Sequence, residues 1–175
     1  MEQDTPTPSD PEQDENLLTS HLDFPVVGIG ASAGGMAALE LFLDHMPFDS
    51  GMAFVVVLHL APHHKSNADA ILQRRTRMPV LQVQGRMPVQ TNHVYIIPPN
   101  QDLRMNDGHL ELQAPTRTRG PHVAIDLFFR ALAQVHTLRA VGIVLSGTGA
   151  DGALGLKRIK ERGGVTLVQA PHEAE

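Results

Sequence analysis

The chain has 175 residues, 42% of them hydrophobic and 19% charged, which is enough for one domain with a buried core. It contains no cysteine, so disulfides, thiolate catalysis and Cys-ligated zinc are excluded, and a reducing compartment such as the cytoplasm is the expected location. The formal charge of -5 is unevenly placed: Glu2, Asp4, Asp10, Glu12, Asp14, Glu15 and Asp23 precede the first Lys or Arg, which leaves the rest mildly basic. That weak balance, with few aromatics, argues against nucleic-acid binding. No apolar run is long enough for membrane insertion.

In chain order, residues 1–23 are rich in Pro, Gln, Asp and Glu and read as a disordered acidic tail or linker. Residues 24–175 read as the folded domain. Short Val- and Ile-rich runs predict strands at Phe24–Ile29, Ala53–Leu60, Val80–Val83, Val94–Ile97, Ala140–Leu145 and Val165–Val168. Helical patterns lie between them at Gly35–His45, Asn67–Arg77, Val123–His136 and Gly152–Arg162. Ser66 and Asp69 resemble a capping box for the second helix, and Gly163-Gly164 is a stop for the last. Asp107-Gly108 between short alternating runs predicts a β-hairpin insertion over 102–113. No internal repeat is visible. The expected fold class is α/β: a doubly wound, mostly parallel sheet flanked by helices. The last strand is followed by only seven residues, so its edge is expected to lack a covering helix and the domain to be truncated at its C-terminus.

Ligands of open α/β sheets bind beyond the carboxyl ends of the strands. Three such exits carry Ser32, His59 and Asp151. Ser32 lies in Gly28-Ile29-Gly30-Ala31-Ser32-Ala33-Gly34-Gly35, a strand that breaks into small residues before a helix. In a nucleophilic reading Ser32 attacks a carbonyl carbon, His59 takes and returns its proton, and Asp151 orients the imidazole. Backbone amides at Ala33 and Gly34, with the second glycine loop around Thr148 and Gly149, are the expected oxyanion and substrate-lining groups. Each residue also has a plainer reading: Ser32 as a helix cap, His59 as a satisfied strand-end histidine, Asp151 as the N-cap before Gly152.

Other features point to weaker chemistry. His59, His63 and His64 suggest a metal, but Pro62 breaks helical spacing and no acidic or sulfur ligand is near. Arg74, Arg75 and Arg77 fit a solvated helix face or an acidic protein partner. Asp126 fits a structural polar group or a cap, and Met36, Met46 and Met52 fit core filler or a pocket wall. Gly28-x-Gly30-x-x-Ala33 matches the loose dinucleotide-binding pattern, yet the second strand ends at Leu58-His59-Leu60, where the ribose-binding acid should stand.

Four blocks in order, Gly30-Ala31-Ser32-Ala33-Gly34-Gly35, Val57-Leu58-His59-Leu60-Ala61-Pro62, Val94-Tyr95-Ile96-Ile97-Pro98-Pro99 and Leu145-Ser146-Gly147-Thr148-Gly149-Ala150-Asp151-Gly152-Ala153, resemble the catalytic domain of the chemotaxis protein-glutamate methylesterases (CheB). The resemblance runs from about Phe24 to the end and puts the family's catalytic serine, histidine and aspartate on Ser32, His59 and Asp151. It implies hydrolysis of glutamate methyl esters on methyl-accepting chemoreceptor helices, with glutamine deamidation as a related reaction and no cofactor. Thr148 stands where the family often has methionine. The Ser-Gly-Thr-Gly form and Val123–Arg130 are similar to the branch fused to a methyltransferase and sensory module. An acidic segment stands where best-known members carry a receiver domain, so control by an attached receiver is not expected. The competing expectation is a catalytically idle signalling or binding module of the same fold.

Overall fold

The computed structural model describes residues 17–59, 67–115, 122–146 and 149–174. Apolar runs form β1 (Val26–Ser32), β2 (Ala53–His59), β3 (Val80–Gln82), β5 (Val94–Ile96), β8 (Ala140–Leu145) and β9 (Val165–Val168). They make a six-stranded parallel sheet in the order β3-β5-β2-β1-β8-β9. The chain leaves β1 toward β2 and β5 on one side and returns to β8 on the other. The strand order therefore reverses between β1 and β8, and the crevice of such a sheet opens at that point.

A short 3-10 turn (Ala33–Gly35) joins β1 to α1 (Met36–His45), and α2 (Ala68–Gln73), α3 (Ala124–His136) and α4 (Ala153–Glu161) complete the helices. A second, antiparallel sheet has the order β4-β7-β6, from β4 (Arg86–Pro88), β6 (Asp102–Asn106) and β7 (His109–Gln113). The expected 102–113 hairpin is β6–β7, turning at Asp107 and Gly108, both with positive φ.

Strand periodicity sorts the core into two halves. Val27, Ile29 and Ala31 of β1 and Phe54, Val56 and Leu58 of β2 pack with Leu39, Leu43 and Leu72 of α1 and α2. The alternate residues, Val26 of β1 and Val55 and Val57 of β2, pack with Ile125, Phe128 and Phe129 of α3 and with Leu103, Met105 and Leu110 of the small sheet. Gly28 and Gly30 belong to that second face: a Cβ at Gly28 would lie 2.9 Å from Phe129 Cε1, and one at Gly30 would overlap Ile125 Cγ2. The glycines that suggested a dinucleotide loop are thus where α3 approaches the strand closely. Met36, Met46 and Met52 are partly buried against the α1 side, as expected for filler.

Three details depart from the sequence expectation. The ordered body begins before Phe24. Leu17 and Leu22 pack on the α3 cluster, the Ser20 amide donates to Val135 O at 2.8 Å, and Arg139 Nη1 donates to Leu22 O at 3.3 Å. Two leucines and these hydrogen bonds offset the polar composition; residues 1–16 lie outside the described set. Second, α2 stops at Gln73 rather than Arg77, because the Gln73 side chain donates to Thr76 O and Met78 O and accepts from Val80 N. Third, β4 was not expected; its three residues, flanked by Gly85 and ending in Pro88, carry no periodic signal. The expected cap of α2, Ser66, lies outside the described residues; the helix N-cap is Asn67, with no side-chain cap bond.

β9 pairs with β8 only, among the described residues, and Val165, Leu167 and Val168 are 53%, 52% and 67% exposed.

Candidate active site

The β1–β2 ladder pairs Ser32 with His59 as its final step, and neighbouring strands run about 4.8 Å apart. By strand alternation, Ser32 continues the Gly28, Gly30 face of β1, and His59 continues the Val55, Val57 face of β2. Both residues therefore belong to the α3 side of the sheet. Ser32 is partly buried and His59 is exposed.

Ser32 is the last strand residue rather than part of a tight turn, since Gly30 and Ala31 stay in the ladder with Val144 and Leu145 of β8. Its Oγ donates to Ser146 O at 3.1 Å, and its amide reaches the same oxygen at 3.4 Å. Ser146 is buried and sits at φ 40°, the left-handed region, immediately past β8. Ser32 makes no side-chain cap bond to the 3-10 turn that follows it. Ser32 thus occupies the N-cap position of that turn without capping it through its side chain.

Asp151 also has a different capping role from the one expected. It precedes α4, whose N-cap is Gly152 at φ 101° without a side-chain bond. The Asp151 carboxylate instead reaches across to α3: Oδ2 accepts from Ile125 N at 3.1 Å and Oδ1 from Asp126 N at 2.9 Å. The α3 N-cap, Val123, has no capping side chain of its own, so Asp151 satisfies two first-turn donors from another element. Burial pushes the Asp151 carboxyl above its ordinary value. The two α3 amides and the charge of His59 oppose that rise, while the charge of Asp126 adds to it.

Asp126 returns the contact. It is 5% exposed, and its Oδ1 accepts from Gly155 N in the first turn of α4 at 2.7 Å. Each helix start is thus capped by a carboxylate from the other. A Cβ at Gly155 would overlap Phe129 Cβ, so glycine is what lets the α4 amide come this near. Sequence reasoning took Asp126 as a structural polar group or cap; it caps, but sequence could not show which helix.

Ser32, His59 and Asp151 are therefore gathered at one sheet edge beside the switch point. Among the described residues, no hydrogen bond joins His59 to either of the other two. Gly34 and Gly149 are exposed there, the Ala33 side chain and all of Thr148 fall outside the described residues, and so do His63 and His64. Missed by the sequence reading were the Ser146 carbonyl that holds Ser32 and the Asp102–His122 hydrogen-bonded pair. Asp102 is buried at the start of β6, and His122 lies two residues before α3. Their only sequence signal was an acid and a histidine beside predicted element ends.

The CheB methylesterase family model matches residues 27–175. A putative protein-glutamate methylesterase/protein-glutamine glutaminase of Leptospira interrogans is 30% identical over 155 residues, covering 88% of this chain and 80% of that one. A Pseudomonas syringae protein-glutamate methylesterase/protein-glutamine glutaminase is 37% identical over 146 residues, which is 82% of this chain but 43% of the relative. The fold is shared with the crystal structure of the Thermotoga maritima CheB methylesterase catalytic domain. The TM-score is 0.78 at 21% identity, over 87% of this chain and 83% of that one. With the sheet, its switch point and the family match in agreement, the chain belongs to the CheB methylesterase family.

Proposed function

We propose that this chain is a serine esterase that hydrolyses glutamate methyl esters on chemoreceptor helices, with Ser32 as nucleophile, His59 as general base and acid, and Asp151 as the group that orients His59. The observation that carries the assignment is the paired register of Ser32 and His59 on the strand face that α3 covers, with Asp151 docked on the start of α3.

Ser32 Oγ attacks the ester carbonyl carbon as His59 takes its proton, giving a tetrahedral oxyanion. Collapse breaks the bond to methoxide, which leaves as methanol with the proton from His59. Water, deprotonated by His59, then attacks the acyl-Ser32 ester; the second collapse frees the glutamate carboxylate and returns the proton to Ser32. To start the cycle the Ser32 hydroxyl exchanges the Ser146 carbonyl for His59, a rearrangement expected of catalytic hydrogen bonds that tighten only with substrate. The Ala33 and Gly34 amides open a helical segment, where first-turn N–H groups have no partner in the helix. Together with Thr148 and Gly149 they are the proposed oxyanion and substrate-lining groups, each donor worth about 3 kcal/mol in the transition state. Glutamine deamidation runs through the same intermediate with ammonia leaving, and the names of the relatives carry that second activity. A cytoplasmic location fits the absence of cysteine. The branch-like Val123–Arg130 segment supports attachment to a methyltransferase module in a parent protein.

The test is methanol release from a methylated receptor fragment. Wild type should release it, and Ser32→Ala should lose at least about 1000-fold in kcat while staying folded, as triad members act as a unit. Retained turnover in Ser32→Ala removes Ser32 from the mechanism. No release from folded wild type favours the idle binding module of the same fold.

A further inference from the structure

The reciprocal caps at the starts of α3 and α4 form a closed ring of three hydrogen bonds: Ile125 N and Asp126 N to the two oxygens of Asp151, and Gly155 N to Asp126 Oδ1. Asp151 and Gly155 flank the α4 N-cap, so the Asp126 contact fixes the segment that carries Asp151. A carboxylate bound through both oxygens to adjacent amides has its plane and rotamer set. The lone pairs left over then point in fixed directions. Burying the Asp126 carboxylate is costly unless its oxygens are used, and packing alone would be better served by an apolar residue at that site of the α3–α4 contact.

Resting on the esterase reading above, we propose that Asp126 is a positioning residue: by accepting the Gly155 amide it locks α4 to α3 and holds the Asp151 carboxylate where it can orient His59. Asp126 touches neither substrate nor the reacting atoms, and its effect passes through Asp151. Losing the Asp126 acceptor frees the Asp151 segment to shift, and displacements near 1 Å at such a site cost about 100-fold in rate. Substrate binding is left alone, because Asp126 is buried.

The experiment compares Asp126→Ala and Asp126→Asn with wild type and Ser32→Ala in the methanol-release assay, with kcat and KM determined separately and folding checked by thermal melting. Asp126→Ala is expected to lose 10- to 100-fold in kcat with KM within about twofold, a split that general loosening of the fold would not give. Asp126→Asn keeps an oxygen to accept the Gly155 amide and should recover to within about fivefold of wild type. Wild-type kcat in a folded Asp126→Ala overturns the proposal, as does an Asp126→Asn defect as deep as that of alanine. If Asp126→Ala does not fold, Asp126→Glu replaces it: the acceptor moves out by one methylene, and loss of kcat at constant KM supports positioning whereas unchanged kcat overturns it. Ser32-dependent release from wild type keeps these outcomes separate from failure of the esterase reading itself.

Discussion

The two faces of the parallel sheet are built from different material. Toward α1 and α2 the described strands offer Val27, Ile29, Ala31, Phe54, Val56 and Leu58, closed by aliphatic side chains. Toward α3 and α4 the central strands β1 and β8 offer glycines at 28, 30 and 142 while β2 keeps Val55 and Val57, and the large groups over those glycines come from the helices, chiefly Ile125, Phe128 and Phe129. The buried polar residues also segregate. Asp126 and His136 lie on α3, Ser20 binds the α3 backbone, Asp102 is paired to His122 beside the α3 start, and Ser146 meets Ser32. One face is a packing face. The other sacrifices strand side chains so that a helix start, with its amides, comes close to the strand exits where Ser32 and His59 stand.

That contrast predicts a separation of stability from turnover. Leu39→Ala, fully buried on the packing face, should cost about 2–5 kcal/mol in chemical denaturation, while kcat per folded molecule stays unchanged. A fall in kcat there would break the division. Gly30→Ala on the opposite face should cost less, about 1–3 kcal/mol by overpacking against Ile125, yet lower kcat because the α3 start and Asp151 are pushed away. Unchanged turnover in a folded Gly30→Ala would show that α3 tolerates the shift.

The smallest effect tests the polar side of the same contrast. His136 is 2% exposed, its Nε2–H donates to Phe24 O at 2.8 Å, and Nδ1 is buried with no partner among the described residues. Burial lowers its pKa, with the nearby Arg139 charge acting the same way against the Phe24 contact. The unfolded chain therefore takes up a proton that the native state resists. The stabilisation is present above about pH 6.5 and is lost as pH falls through the window below it, at no more than about 1.4 kcal/mol per pH unit. Urea midpoints between pH 7 and 5 should fall less steeply for His136→Gln. An identical slope would assign the dependence to other groups.

Much of the fold was legible because its strands are continuous apolar runs bounded by small residues. Ala140–Leu145 and Val165–Val168 needed no revision. Local sequence failed where side chains override it: Gln73 ends α2 early, and Leu17 and Leu22 draw in a segment whose composition argued for disorder. At the site, the types and strand-exit positions of Ser32, His59 and Asp151 were readable, since a parallel sheet puts its exits on one edge. The partners were not. Asp151 caps a helix that starts 27 residues before it, and no local pattern encodes a contact of that kind. The parity of Gly28 and Gly30 was visible, but only the position of α3 gives it meaning.

Pairing Ser32 and His59 on one rung of adjacent strands also has an evolutionary consequence. Their separation is measured by the interstrand hydrogen bonds, not by the 20-odd residues of chain between them. Insertions or deletions in the α1–β2 connection leave that ruler untouched, so lineages are free to reshape this surface for new targets. A single-residue slip within β1 or β2, by contrast, would turn one partner to the opposite face and erase the pair in one step. The site is inherited as a register.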